Sequence, residues 1–128
     1  GMSFTFDEKE PIYIQIADQL RDMIFTREIL EGDQVPSTTK LSQQLKINPA
    51  TVLKGMNLLV EDGLIEKKRG MGMFVCKGAY EKILRKRENL FYEDYIEKLV
   101  TEALRLNISE EKLLEMVQRG YQNGKFIN

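Results

Sequence analysis

The chain has 128 residues, 42% of them hydrophobic and 30% charged, with a formal net charge of −1. This is typical of one compact domain, or of one small domain with a short appendage, and it excludes a global positive field. It has one cysteine, Cys76, and no histidine, which excludes an internal disulfide and leaves metal and acid–base sites without their commonest residue. No metal or cofactor is therefore expected, and the lack of a signal peptide or an apolar run of ~20 residues predicts a cytoplasmic protein with no membrane partner.

The first helical pattern follows Pro11, a residue that suits the first position of a helix. Apolar residues then recur every four positions from Ile12 to Ile24, which predicts one amphipathic helix. This helix is expected to end before the turn at Glu31-Gly32-Asp33. Gln34-Val35 follows as a very short strand, which Pro36 keeps extended.

Two further helices are predicted close together. Ser37 is a suitable N-cap for a second helix, and Asn48-Pro49 is a strong start signal for a third, because Asn caps well and Pro fits the first turn. The second helix is expected to bury Leu41 and Leu45. The third is expected to bury Val52, Met56, Leu59 and Val60 and to end at Gly63. Two helices joined by so short a turn form a helix-turn-helix.

A hairpin follows the third helix. Two short extended runs, residues 64–66 and 73–76, flank the basic, glycine-bearing segment Lys67-Lys68-Arg69-Gly70-Met71-Gly72. That segment lacks the third glycine and the strand-to-helix setting of a nucleotide-binding loop, so we interpret it as a turn. Three helices followed by a hairpin predict a winged helix-turn-helix DNA-binding domain over residues 8–78.

The remaining residues, 79–128, are predicted to form a helical dimerisation tail. One long helix is expected from Ala79 to about Leu106, and a last helix is expected after the N-cap Ser109. The predicted fold is therefore mainly α with a small β-hairpin, consisting of the winged helix plus a C-terminal two-helix dimerisation hairpin. The apolar band of the long helix is too wide for the short last helix to cover, which predicts a homodimer. Its predicted interface contains Phe91, Tyr92, Tyr95, Ile96, Leu99, Val100, Leu104, Leu113 and Val117.

Charge is segregated along the chain although it nearly cancels overall. Residues 34–60 contain three lysines and no acidic residue, whereas residues 7–33 contain eight acids. A second basic cluster lies in the hairpin. An acid-free basic surface suits DNA, which carries one phosphate charge per about 1.7 Å of duplex axis. A solvated surface with chance spacing is the alternative interpretation.

The start of the third helix holds side chains that could contact DNA. Asn48 can bond the edge of adenine, Ala50 can touch a thymine methyl group, and Thr51 can reach a phosphate or a base. Lys54 can neutralise a phosphate or bond guanine. Asn48 could instead be only a helix cap, and Thr51 only a surface residue.

No residue pattern in the chain points to catalysis. Cys76 lies on a predicted strand with no histidine anywhere to activate it, so we expect a buried small side chain and not a nucleophile. No carboxylate pair has an identifiable apolar cleft. The protein is not expected to be an enzyme, and no small-molecule effector is evident.

Several motifs between residues 11 and 76 resemble one known family. They are Pro11-Ile12-Tyr13-Ile14-Gln15-Ile16, Leu20-Arg21, Gly32-Asp33-Gln34-Val35-Pro36-Ser37, Asn48-Pro49-Ala50-Thr51-Val52, Asp62-Gly63-Leu64-Ile65 and Arg69-Gly70-Met71-Gly72-Met73-Phe74-Val75. Together they are similar to the winged helix of GntR-type regulators. The helical tail of only about 50 residues is similar to the small YtrA-like branch, and this resemblance implies a dimeric repressor of a neighbouring, often transporter, operon.

The resemblance also implies DNA-contacting positions. Ser37, Asn48, Ala50, Thr51, Arg69 and Gly70 are carried over residue by residue, and Lys40 and Lys54 are added from charge and placement. Thr39 and Lys68 complete the predicted set of DNA contacts. Thr39 and Leu53 stand where the family usually has arginine. Since bidentate arginine to guanine is the commonest specific contact, these departures remove the family's usual base readout.

The predicted function is therefore a sequence-specific regulator that binds a pseudo-palindromic site on double-stranded DNA as a homodimer. The alternative is a winged helix that contacts proteins and does not bind DNA. For the tail, the alternative is that it folds back onto the first helix of the same chain.

Overall fold

The computed structural model describes residues 3–124. Its elements, in chain order, are α1 (Ile12–Phe25), α2 (Thr38–Leu45), α3 (Pro49–Glu61), β1 (Ile65–Lys68), β2 (Gly72–Val75), α4 (Ala79–Phe91), a π-helical turn (Tyr92–Ile96), α5 (Glu97–Arg105) and α6 (Glu110–Gln122). The predicted class, mainly α with a small antiparallel hairpin, is confirmed. The chain forms two compact units, the first ending at Lys86 and the second beginning at Arg87.

The core of the first unit lies between α1 and α3. Helix α1 buries the predicted four-residue row that includes Ile16, Leu20 and Ile24, and α3 buries Val52, Met56 and Leu59. Removing these apolar side chains from water is the main favourable contribution to folding. At the edge of this contact, Arg21 on α1 donates to Asp62 at the end of α3 over 2.7 Å.

Gly55 lets α1 and α3 approach closely. A Cβ atom at this position would lie 2.8 Å from the backbone oxygen of Tyr13 and 3.2 Å from Cβ of Ile16. Neither atom belongs to the movable end of a side chain, so the two helices would have to separate. Helical propensity favours alanine here by up to about 1 kcal/mol, but the overpacked contact opposes it.

We therefore expect Gly55→Ala to lower the free energy of unfolding by about 1–3 kcal/mol, measured by urea denaturation. Gly120→Ala on α6 is the matched control, because a Cβ there meets nothing within 4 Å. That change should be neutral or slightly stabilising. A Gly55→Ala protein at least as stable as the parent would contradict the close approach.

The turn between α2 and α3 is held by local hydrogen bonds. Lys46 takes the left-handed conformation with φ 55°, and the Ser42 hydroxyl donates to the backbone oxygen of Ile47 over 2.6 Å. The predicted burial of Leu41 is confirmed. The predicted burial of Val60 is wrong: it is 38% exposed, since the contact with α1 covers only the neighbouring rows of α3.

The hairpin pairs β1 with β2 antiparallel, from Ile65 opposite Val75 to Lys68 opposite Gly72. The predicted strand at Gln34-Val35 is reduced to a single bridge between Gln34 and Phe74. The amide of Val35 donates to the backbone oxygen of Met73 over 2.9 Å. This segment therefore extends the hairpin by one short edge.

The start of α4 belongs to the first unit. The Glu31 carboxylate accepts from the backbone N–H groups of Gly78 and Tyr80, at 2.8 and 3.1 Å, and these bonds lower the pKa of Glu31. Ala79 and Ile83 are buried in the core. The compact units consequently divide at 86/87, later than the domain boundary predicted from sequence at 78/79, because the first two turns of α4 pack on the winged helix.

The prediction of one uninterrupted α-helix from residue 79 to about 106 is wrong at one place. The turn Tyr92–Ile96 is π-helical, and the N–H of Glu97 donates to the backbone oxygen of Tyr92, five residues earlier. Such a turn accommodates one extra residue, so it shifts the phase of the apolar rows that follow. Within residues 3–124, no helix is both long and apolar enough to cross a membrane.

The second unit leaves most of its apolar side chains uncovered. Ala103 is buried, and Ile96 and Leu113 are half-buried. Helix α6, capped by Ser109 as predicted, has no buried residue at all in the described part of the chain. The exposed set is Leu90, Phe91, Tyr92, Tyr95, Leu99, Val100, Leu104, Leu106, Leu114, Met116, Val117 and Tyr121.

Candidate nucleic-acid interface

The start of α3 is exposed and is fixed by its cap. The Asn48 side-chain oxygen accepts from the backbone N–H of Ala50 over 2.8 Å, and Pro49 occupies the first turn. The capping interpretation of Asn48 is thus confirmed. Its amide NH₂ group is still available as a donor, and the capped oxygen has a second lone pair, so a cap can also contact a base. Ala50 is exposed beside it, and Thr51 is half-buried.

The start of α2 is built in the same way. Ser37 Oγ accepts from the backbone N–H of Lys40 over 3.0 Å, and Thr39 and Lys40 are exposed. A cavity of about 700 Å³ borders this helix start; its lining includes Gln34, Ser37 and Lys40 together with the acidic residues Glu28 and Asp33. Ser37 and Lys40, which are predicted DNA contacts of α2, therefore lie close to Gln34 in the segment that supports the hairpin.

Lys54 is exposed on α3 and lies against α1. Its ammonium nitrogen is 4.1 Å from the ring centroid of Tyr13, which is the geometry of a cation–π contact. This contact holds the charge at the border between the two helices. A phosphate contact suits such a position better than a contact with a base edge in the middle of a groove.

The tip of the hairpin is a tight basic turn, called the wing tip below, formed by Lys68, Arg69, Gly70 and Met71. The N–H of Met71 donates to the backbone oxygen of Lys68 over 2.8 Å, and Gly70 has φ 76°, a value that strongly favours glycine. Lys68 and Arg69 are exposed, and the Lys68 ammonium lies 4.8 Å from the ring centroid of Phe74.

Gln34 supports the wing tip from below. Its side-chain amide donates to the backbone oxygen of Met71 over 2.9 Å, and a Cβ on Gly72 would lie only 2.7 Å from the same amide nitrogen. The glycine therefore makes room for Gln34. Sequence reasoning assigned Gln34 only to a short strand, and no local pattern reveals a contact between residues so far apart in the chain.

The cations of this surface are not neutralised within the protein. In the described residues, Arg21, Arg105 and Lys112 are among the cations that form ion pairs, whereas Lys40, Lys54, Lys68 and Arg69 form none. Because residues 34–60 contain no acidic residue, Lys40 and Lys54 also have no carboxylate nearby on their own helices. These four positive charges are thus available to a polyanion.

Two exposed side chains of α3 were not included in the predicted set of DNA contacts. Leu53 and Asn57 are exposed together with Ala50 and Lys54, on one face of the helix. The spacing of three, four and seven residues from Ala50 was the signal that could have found them. This face, Ala50, Leu53, Lys54 and Asn57, is called the α3 face below.

The chemistry of a metal or nucleophilic site has little support in the structure. Among residues 3–124, no three carboxylate or thiol side chains cluster so that they could hold a metal ion. Cys76 is half-buried, and burial, together with the nearby Glu66 charge, raises the pKa of its thiol. A raised pKa keeps the thiol protonated and weakly nucleophilic near neutral pH.

A helix-turn-helix with two exposed, capped helix starts, joined to a cationic hairpin, defines the class of winged-helix DNA-binding proteins. Residues 12–75 match the sequence profile described as "Bacterial regulatory proteins, gntR family". The chain therefore belongs to the GntR family, whose members are transcriptional regulators and not enzymes.

Two curated relatives match over most of the chain. The HTH-type transcriptional regulator YhcF of Bacillus subtilis is 29% identical over 123 residues, which is 96% of this chain and 100% of that protein. The HTH-type transcriptional repressor YtrA of Bacillus subtilis is 29% identical over 108 residues, covering 84% of this chain and 82% of that one. The similarity therefore extends beyond the winged helix into the tail.

Two solved structures are similar as well. A GntR-family regulator from Bacteroides thetaiotaomicron has a TM-score of 0.72 and 28% identity, and the match covers 89% of this chain and 99% of that chain. The DNA-binding domain of AraR in complex with operator ORX1 has a TM-score of 0.54 and 26% identity, with 59% of this chain and 96% of that chain covered. The protein is accordingly a DNA-binding transcriptional regulator with the GntR winged helix.

Proposed function

We propose that the protein is a sequence-specific repressor that binds a pseudo-palindromic operator as a homodimer and controls a neighbouring operon, with a transporter operon as one candidate. The start of α3 enters the major groove, and the wing tip meets the backbone or the minor groove. Residues 8–78 bind DNA and residues 79–128 hold the dimer. Action in the cytoplasm is part of the proposal, because the DNA partner of a bacterial regulator lies there.

The observation that carries DNA binding is the unpaired positive charge of this surface. Lys40 and Lys54 lie on the two capped helices, Lys68 and Arg69 lie on the wing tip, and all four are exposed without carboxylate partners in the described residues. Capped helix starts present backbone N–H groups and a positive dipole end, which favour phosphate. AraR, a structural relative, is seen bound to operator DNA, and YtrA is named as a repressor; both support the proposal.

The homodimer is supported by the uncovered apolar surface of the second unit. Helix α6 is an amphipathic helix of 13 residues with no buried side chain, and Tyr121 on it is 86% exposed. An isolated helix of this length is only marginally stable in water. Soluble monomers rarely expose so large an apolar patch. A second copy of the same unit covers it through a two-fold interface without further sequence.

The experiment that tests this function is the selection of genomic fragments by the purified full chain, followed by sequencing. A shared pseudo-palindrome upstream of one operon is the expected result. Affinity for that site should fall steeply with salt, because each phosphate contact releases counterions. Deletion of the gene should then raise transcription of the neighbouring operon.

Three outcomes would contradict the proposal in whole or in part. Recovery of fragments without a shared motif would remove sequence specificity. Equally weak binding at all salt concentrations would favour the alternative, a winged helix that contacts proteins. A fall in transcription after deletion would leave DNA binding intact but replace repression by activation.

A further inference from the structure

The α3 face has the apolar side chain of Leu53 at its centre and contains no arginine. Leu53 is 42% exposed in the centre of this face, between Ala50 one turn earlier and Asn57 one turn later. No arginine lies between Arg27 and Arg69, so α2 and α3 contain none. The bidentate arginine contact that most often identifies guanine is therefore unavailable to both helices.

The one cation of the α3 face is held at its edge. Lys54 has its ammonium 4.1 Å from the Tyr13 ring centroid, toward α1. Within the α3 face, the side chains left for reading base edges are then Ala50, Leu53 and the amide of Asn57. Apolar side chains recognise the C5-methyl group of thymine, and Asn recognises adenine. All three therefore fit A·T pairs better than G·C pairs.

We propose that Leu53, assisted by Ala50, reads thymine methyl groups in the major groove and makes each half-site of the operator depend on A·T pairs opposite α3. This inference rests on the proposed DNA-binding function and adds the specificity-determining residue. Val60 offers an internal comparison, because it is 38% exposed on the same helix two turns later. Seven residues of helix are about 10.5 Å, and base contacts come from the N-terminal part of a recognition helix.

The test uses a duplex selected by the full chain from a random pool. Each thymine is replaced in turn by deoxyuridine, which removes only the methyl group. Losing one methyl contact should weaken binding about fourfold, and losing the equivalent methyls in both half-sites about fifteenfold. Leu53→Ala should bind the thymine and uracil duplexes equally. Val60→Ala, the matched control, should keep the parent's discrimination.

A second variant tests the same contact by changing the base that residue 53 is expected to prefer. Leu53→Arg places a guanine-reading group on an exposed position, so the fold should tolerate it. A new selection with this variant should enrich G·C at the pair opposite residue 53. Unchanged selection of A·T at that pair would overturn the inference.

The remaining outcomes separate this inference from the function on which it rests. A parent protein that binds its selected duplex tightly but ignores every uracil substitution overturns the reading by Leu53 and leaves DNA binding intact. Discrimination that persists in Leu53→Ala also overturns it, because another group then reads the methyl. Failure to select any duplex contradicts the proposed function itself.

Discussion

Ile96→Glu combined with Val100→Glu is expected to convert the protein into a monomer that binds its operator roughly 10²–10⁴-fold more weakly. Val100 is 43% exposed and Ile96 is half-buried in the second unit, so two carboxylates there would be desolvated by a partner copy. A monomer reads one half-site, and it loses the effective concentration that joins the two binding events. Light scattering at micromolar concentration measures the change in mass.

The matched control is Lys98→Glu, which changes net charge by the same two units. Lys98 is exposed about 200° around the helix from Val100, on the polar side of α5. This variant should stay dimeric and keep most of its affinity, and far-UV circular dichroism should show all three proteins helical. A folded parent protein that is already monomeric, and that binds a full operator tightly, would contradict the dimer. So would a double variant that remains dimeric.

Lys54→Ala combined with Arg69→Ala is expected to weaken binding to all duplexes by a similar factor. If each side chain contacts a phosphate, the slope of log affinity against log salt falls by roughly two for each protomer, since each contact contributes about 0.9. Both cations are exposed and lack a carboxylate partner in the described residues, so their removal should leave the fold intact. Fluorescence anisotropy across a salt series measures the slope.

The control for this pair removes the same two charges from the second unit. Lys98→Ala with Arg105→Ala should leave the salt slope close to that of the parent. If the Lys54 and Arg69 variant instead binds its operator normally at physiological salt, the interface has been assigned to the wrong surface. A selective loss at one base pair, with the slope unchanged, would mean that these residues read bases and do not contact phosphates.

Local sequence signals determined the starts of the helices and the buried row of α1 well. Ser37, Asn48 and Ser109 were identified as helix caps, and each accepts the expected backbone hydrogen bond. The four-residue spacing from Ile12 to Ile24 identified the buried row of α1. Caps and periodicity act between residues at most a few positions apart, so they can be read from the chain directly.

Positions within the DNA interface were only partly accessible from sequence. The exposed, acid-free starts of α2 and α3 followed from composition and helix phase. Leu53 and Asn57 follow from the same phase once the start of α3 is known, although the sequence analysis concentrated on the first turn and a half. Val60 was misassigned to the core, because the sequence does not state how wide a stripe of α3 is covered by α1.

Long-range contacts were decided by the tertiary structure alone. The hydrogen bond from Gln34 to the wing tip joins residues 37 positions apart, and the bond that Glu31 accepts from Gly78 at the start of α4 joins residues 47 positions apart. No local sequence pattern predicts either bond. Local sequence patterns also did not predict the close approach of α1 and α3 at Gly55 or the π-helical turn at Tyr92–Ile96. The sequence by itself therefore determined the order, the caps and the charge of the elements, because these depend on neighbours along the chain. The support of the wing, the extent of the winged-helix core into α4 and the phase of the tail depended on which distant residues meet in space.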